Sequence, residues 1–286
     1  MGKNVKIISD STCDLPQSLL KEFDIDVVPL HIILGEQDFE DGRNITPDEI
    51  YAWADANKAC PKTAACSVEQ MAAVLEPYVS EGREVVCFAI SEQMSSTVQA
   101  MRLAAAQLNA EKLVQVVDSA NLSSGVGLLV LEAAEMAREG KNAAKIVKRI
   151  EELKPLVRVS FVVDTLTFLH RGGRCSGVAA LMGGALRMHP RIDVINGKMQ
   201  PGKKYRGKMN RVIMSYAEEM EADLKAADRK RVFIVHSGCE DETVGGVLKY
   251  LQDMMIFSEI VVSRAGGVVS SHCGPGTLGV IFRAEK

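Results

Sequence analysis

The chain has 286 residues, which is near two domains at about 150 residues each. Lys and Arg number 34 against 37 Asp and Glu, and a net charge of −3 argues against a protein built to neutralise nucleic-acid phosphates. Hydrophobic residues make up 47% and charged residues 25%, enough apolar material for a sizeable core.

No apolar run approaches the roughly 18–20 residues of a membrane span, so stable membrane anchoring is not expected. The start goes directly into a strand pattern without an apolar leader. The seven cysteines are an odd number and none sits in a C-x-x-C, so neither a disulfide framework nor a metal site is expected. Cys87 reads as a small core hydrophobe. A reducing cytoplasm is the expected compartment.

In chain order, residues 5–8 predict a strand ending in Asp10-Ser11-Thr12, and 25–34 a second extended stretch that Pro29 marks as an edge. Thr46-Pro47-Asp48-Glu49 and Ser67-Val68-Glu69-Gln70 both predict capped helix starts. Residues 85–90 form an apolar strand followed by Ser95-Ser96-Thr97 and a helix over 98–108. Residues 113–117 form another, ending at Asp118, with a helix over 125–138. Apolar strands each followed by a helix predict a parallel sheet covered on both faces. In such sheets ligands gather at the carboxyl ends of the strands, where Asp10–Thr12, Ser91–Thr97 and Asp118–Ser119 all lie.

Beyond residue 155 the pattern changes. A strand over 157–163, a short helix over 165–171 and a small-residue helical stretch over 177–188 come first. Asn196-Gly197 then predicts a hairpin joining 191–195 to 198–200. One long helix over 208–226, a strand over 232–235, a helix over 240–255 and strands over 260–263 and 278–283 complete the chain. The fold class is therefore α/β, with a mostly parallel N-terminal domain over 1–157 and a C-terminal α+β domain over 158–286.

Thr63 sits in a loop before a capped helix, and Ser95 and Ser96 lie where a buried strand turns into one. Helix starts present unpaired N–H groups that bind anions, but taken alone Ser67 and Ser95 or Ser96 read more readily as plain N-caps. Asp10-Ser11-Thr12-Cys13-Asp14 reads as a turn whose acids cap the next helix. The usual nucleotide loops and the G-x-S-x-G elbow are missing. Gly172-Gly173-Arg174 and His272-Cys273-Gly274-Pro275-Gly276 each join flexible backbone to a cationic or titratable side chain. Lys203-Lys204-Tyr205-Arg206-Gly207-Lys208 reads as a solvated turn or as a docking patch for an acidic partner. Met182 and Met188 read as core or as the lining of an adaptable apolar cavity.

In order along the chain, DSTCDLP (10–16), KTAACS (62–67), SEQMSSTVQA (91–100), DSANLSSGVG (118–127), FLHRGGR (168–174), HPRIDVINGKMQPGKKYRG (189–207) and HCGPGTLG (272–279) resemble the DegV family. These are lipid-binding subunits that serve bacterial fatty acid kinases. The resemblance implies two α/β domains holding a long-chain fatty acid in a buried tunnel, with no cofactor and no catalysis by this chain. An ATP-dependent fatty acid kinase is the implied partner. It implies Thr63 and Ser95, with Ser96 beside them, at the carboxylate, and Arg174 and His272 near the head group. The run containing Lys203, Lys204 and Arg206 falls where the kinase is expected to dock. Thr63-Ala64-Ala65-Cys66-Ser67 and Met94-Ser95-Ser96-Thr97 depart from the family's usual Thr-Ser-Gln-Pro-Ser and Leu-Ser-Gly-Thr.

Burying a tail of roughly 15 methylenes contributes on the order of 12 kcal/mol before ordering costs, so the tail supplies affinity and the hydroxyls supply orientation. The competing reading is an enzyme acting on a small acid or carbonyl compound, with Ser95 or His272 in catalysis.

Overall fold

Strands with unbroken apolar runs need cover on both faces, and here they form the centre of a parallel sheet. A computed structural model describes residues 5–175, 177 and 188–285. Strand β1 (Lys6–Asp10) and β6 (Val85–Ala89) are buried along their whole length. They lie between β2 (Ile25–Val28) and β7 (Val114–Asp118) in the all-parallel order β2-β1-β6-β7. Ile8, Cys87 and Ala89 face the helices Val68–Ser80 and Thr97–Gln107. Ile7, Val86 and Phe88 face Ser124–Arg138 and Ala143–Leu153.

Three short strands, β3 (His31–Leu34), β4 (Gln37–Glu40) and β5 (Lys62–Ala64), form a separate antiparallel sheet in the order β4-β3-β5. The single extended stretch expected over 25–34 is thus two strands in two sheets. The break falls at Pro29, which has no N–H to give a ladder, and at Leu30, whose N–H donates to the Ser11 hydroxyl at 3.2 Å. Thr63, expected in a loop, sits in β5 opposite Ile32.

The second domain is one six-stranded sheet. Its members are β8 (Val157–Val162), β9 (Met188–Ile195), β10 (Lys198–Arg206), β11 (Ala227–Ser237), β12 (Glu259–Arg264) and β13 (Thr277–Ala284), in the order β10-β9-β8-β13-β11-β12. All pairings are antiparallel except β11 with β12. One face, with Val159, Phe161, Val235 and Ile281, packs against the first domain. The other, with Val162, Ile234 and Val280, packs against the helices Met209–Glu219 and Asp241–Asp253.

Both capping boxes form: Thr46 with Glu49, and Ser67 with Gln70. The Asn196-Gly197 turn forms with φ of 51° and 76°. Its hairpin is longer than expected, and the basic run lies in its outer strand rather than on a turn. The helix expected over 208–226 is two helices, Met209–Glu219 and Glu221–Lys225, broken at Met220 where ψ is 4°. The small-residue stretch expected over 177–188 lies outside the described residues apart from its two ends, and Met182 with it.

Candidate functional site

The polar clusters at the carboxyl rim of the parallel sheet fold onto one another. Asp10 accepts from the N–H of Thr12 at 3.0 Å and of Ile90 at 2.8 Å. Asp118 accepts from Glu92 N–H at 3.1 Å and Ala120 N–H at 2.9 Å. Two strand-end carboxyls therefore shape the loop that carries Ser95. From the second domain the Asn196-Gly197 turn closes on the same loop, its Gly197 carbonyl accepting from the Ser91 hydroxyl at 2.8 Å. Gly197 suits this contact because a Cβ there would lie 2.5 Å from Ser91 Oγ.

Between the domains lies a cavity of about 270 Å³. Ile90, Met94 and Leu122 line it from the first domain, and Val159, Phe161, Met199, Val235 and Ile281 from the second. Thr63, Ser95, Ser96, Arg174 and His272 all line it too. Two of these, Thr63 and His272, bond to each other. The Thr63 hydroxyl is 2.8 Å from His272 Nε2. Arg174 donates to the Gly172 carbonyl at 2.7 Å and, across the domain boundary, to the Met94 carbonyl beside Ser95 at 3.4 Å. Ser96 is exposed at the N-cap position and makes no side-chain capping bond.

Burial, and secondarily the charge of Arg174, pushes the His272 imidazole down to about 4, so it is neutral near pH 7. Its Nδ1 is buried without a partner among the described residues. Ser95 Oγ accepts from Thr97 N–H at 3.3 Å and lies 2.9 Å from Thr97 Oγ1. Among the described residues its hydroxyl bonds to no histidine.

Asp14, expected to cap the following helix, does not. That helix, Gln17–Glu22, starts at Pro16 without a side-chain bond. Asp14 instead reaches the second domain, accepting from Gly266 N–H at 2.8 Å and from the Ser123 hydroxyl. Burial raises its carboxyl to about 8 and that of Asp10 to about 6. Sequence reasoning missed Asp41, which makes a parallel set of contacts from the loop after β4. Nothing in its local sequence, Glu40-Asp41-Gly42, separates it from an ordinary turn acid.

In the basic run, Lys203 is ion-paired with Glu219, which also accepts from the Tyr205 hydroxyl. Lys204 and Arg206 are exposed, with no ion-pair partner among the described residues. No group of three or more His, Cys, Asp or Glu among the described residues could hold a metal ion. Among them, too, no helix is long and apolar enough to cross a membrane.

A family model described as "Uncharacterised protein, DegV family" matches residues 4–285. The chain belongs to the DegV family. A DegV domain-containing protein of Deinococcus radiodurans is 32% identical over 277 residues, 97% of each chain. Among solved structures, a fatty-acid-binding DegV family protein from Thermus thermophilus superposes with a TM-score of 0.90 at 32% identity, covering 99% of this chain and 100% of that one. A stearic acid-binding protein from Eubacterium ventriosum superposes at 0.85 with 27% identity, covering 98% of each. The match to DegV structures extends over both domains, so the cavity between them falls within the superposed region.

Proposed function

We propose that this chain binds one long-chain fatty acid in the interdomain cavity and presents its carboxylate to a separate ATP-dependent fatty acid kinase. The observation that carries the reading is the composition of one cavity: apolar walls from both sheets, lined also by Thr63, Ser95, Arg174 and His272, with Thr63 and His272 bonded to each other. The Thermus and Eubacterium structures, described as fatty-acid- and stearic-acid-binding, support the same ligand class. The chain itself acts as a carrier, two units over 1–157 and 158–286 holding the tail between them, and works in the cytoplasm without a cofactor.

The chemistry at the rim follows from what a carboxylate can do. It only accepts hydrogen bonds, and once taken from water it needs donors or it reprotonates. Thr63 has one hydroxyl proton. A neutral His272 that donates from Nε2 to Thr63 Oγ1 leaves that proton free for the carboxylate. Ser95 supplies a second donor, and Arg174 a positive charge near the head group. Lys204 and Arg206, on the exposed edge strand, are the cations positioned to steer an acidic kinase surface.

Native mass spectrometry of the purified protein tests the ligand. One bound mass matching a long-chain fatty acid is expected. A protein that stays empty after incubation with such acids, yet hydrolyses small acyl esters, would overturn the reading in favour of an enzyme.

A further inference from the structure

His272 is held from two directions. Its Nε2 meets Thr63 of the first domain, and the short helix it rides on, Gly267–Cys273, is anchored to the first domain at its opposite end. Asp41 accepts from Gly267 N–H at 2.7 Å and Val268 N–H at 3.2 Å. Asp14 accepts from Gly266 N–H at 2.8 Å. These are three successive N–H groups at a helix start, which have no partner within the helix. The Ser11 hydroxyl donates to Asp41 at 2.8 Å, and Ser123 donates to Asp14. Both carboxyls are nearly sealed, Asp41 at 4% and Asp14 at 6% exposure. At Gly267 a Cβ would lie 2.9 Å from Asp41 Oδ1 and 2.5 Å from Ile32 Cδ1. The missing side chain is what lets Asp41 come this close.

Part of the Asp10–Asp14 segment thus acts on the other domain's helix rather than on its own. We propose that Asp41 and Asp14 are positioning residues for the carboxylate end of the cavity. By pinning the first turn of Gly267–Cys273 they set where His272 stands, and through it the direction in which Thr63 offers its hydroxyl. The proposal rests on the fatty-acid reading for its ligand, but not for its geometry. Neither acid lines the cavity, so any effect on a ligand is indirect, and the helix carrying His272 is the route the proposal assigns to it.

The test compares a fatty acid with the fatty alcohol of the same tail in wild type, Asp41→Ala, Asp41→Asn and the double variant Asp41→Ala/Thr63→Ala. Loss of helix anchoring alone would weaken both ligands together. Loss of positioning lowers affinity for the acid by at least about tenfold in Asp41→Ala and leaves the alcohol within about twofold. Asp41→Asn falls less, because its amide oxygen still accepts from Gly267. In a Thr63→Ala background the Asp41 substitution no longer changes the acid-to-alcohol ratio, since the two act in series. Equal losses for acid and alcohol, or a full Asp41 effect that persists without Thr63, would overturn the proposal.

Should Asp41→Ala fail to fold, Asp41→Asn and Ser11→Ala carry the same comparison. The side-chain nitrogen resonance of His272, assigned with His272→Gln, is followed in parallel without ligand. It shifts in the Asp41 variants if the acid positions the ring, and an unmoved resonance sinks the proposal. A wild type that binds neither ligand refutes the fatty-acid reading instead, and the resonance still decides the positioning.

Discussion

His272 Nε2 lies 2.8 Å from Thr63 Oγ1, joining residues 209 positions apart in the chain and on opposite sides of the domain boundary. A bond of this kind makes the proposed head-group site a property of the two domains together, not of either alone. Thr63→Ala and Ser95→Ala should each weaken fatty acid binding by about 1.5–3 kcal/mol, the value of one hydrogen bond to a charged group. The apolar walls are untouched, so melting temperatures should stay near wild type. Calorimetric titration with a long-chain fatty acid checks this, and unchanged affinity in both variants would remove the two hydroxyls from the site.

Gly172 offers a way to disturb the same bond without touching either partner. It ends the helix Thr167–Gly172, and a Cβ there would lie 2.3 Å from His272 Nδ1. In an open helix Gly→Ala is favourable by about 1 kcal/mol. Here the imidazole has to move instead. Gly172→Ala should therefore lose fatty acid affinity about as Thr63→Ala does while remaining folded, and a variant that binds like wild type would show that the ring has room.

The buried carboxyls and the buried imidazole give opposite pH slopes. Burial raises Asp14 from 3.8 to about 8, so between those values the folded chain binds a proton that the unfolded chain has lost. That contribution is complete below pH 3.8 and declines as pH rises through about 8. His272 is lowered from 6.5 to about 4, so its contribution is present above pH 6.5 and is lost on acidification through about 4. Asp14→Asn keeps an acceptor for Gly266 and mimics the protonated acid, and should flatten the alkaline decline. His272→Gln should flatten the acid one. Urea unfolding over a pH series reads both, and an alkaline slope unaltered in Asp14→Asn would contradict the assignment.

Local rules were enough for the elements they govern. Thr46 with Glu49, Ser67 with Gln70, and Asn196-Gly197 each carry their structure within four residues, and each forms as read. The small sheet was not legible, because β4 is polar and largely exposed and β5 has three residues. The basic run reads as a turn because Pro201, Gly202 and two lysines have little strand preference. Pairing with β9 makes it a strand, with an irregular register between Pro201 and Lys204. Asp14 with Gly266 spans 252 positions, a distance at which spacing carries no signal. The cavity residues were legible through family resemblance, whereas the acids that anchor their helix were not.

Strand β10 is where the proposed binding and the proposed hand-over can be tested apart. Lys204 and Arg206 are exposed, whereas Met199 on the same strand is buried and lines the cavity. Lys203 is tied to Glu219, an exposed pair worth about 0–1 kcal/mol, so its replacement mixes a structural change with a charge change. Lys204→Glu with Arg206→Glu is the cleaner variant, since neither side chain has an ion-pair partner among the described residues. It should keep its fatty acid, as read by native mass spectrometry, and that bound acid should be phosphorylated more slowly by the proposed kinase at low salt. Steering by exposed charge acts on association rate and fades once the Debye length falls to about 10 Å or less, near 0.1 M salt and above. The difference from wild type should therefore shrink as salt is raised. A variant that loses its lipid would make Lys204 and Arg206 structural supports of the cavity rather than docking residues. A variant that keeps its lipid and a wild-type rate at low salt would leave Lys204 and Arg206 as solvated edge residues, the lysines and arginines that blunt an exposed strand against aggregation.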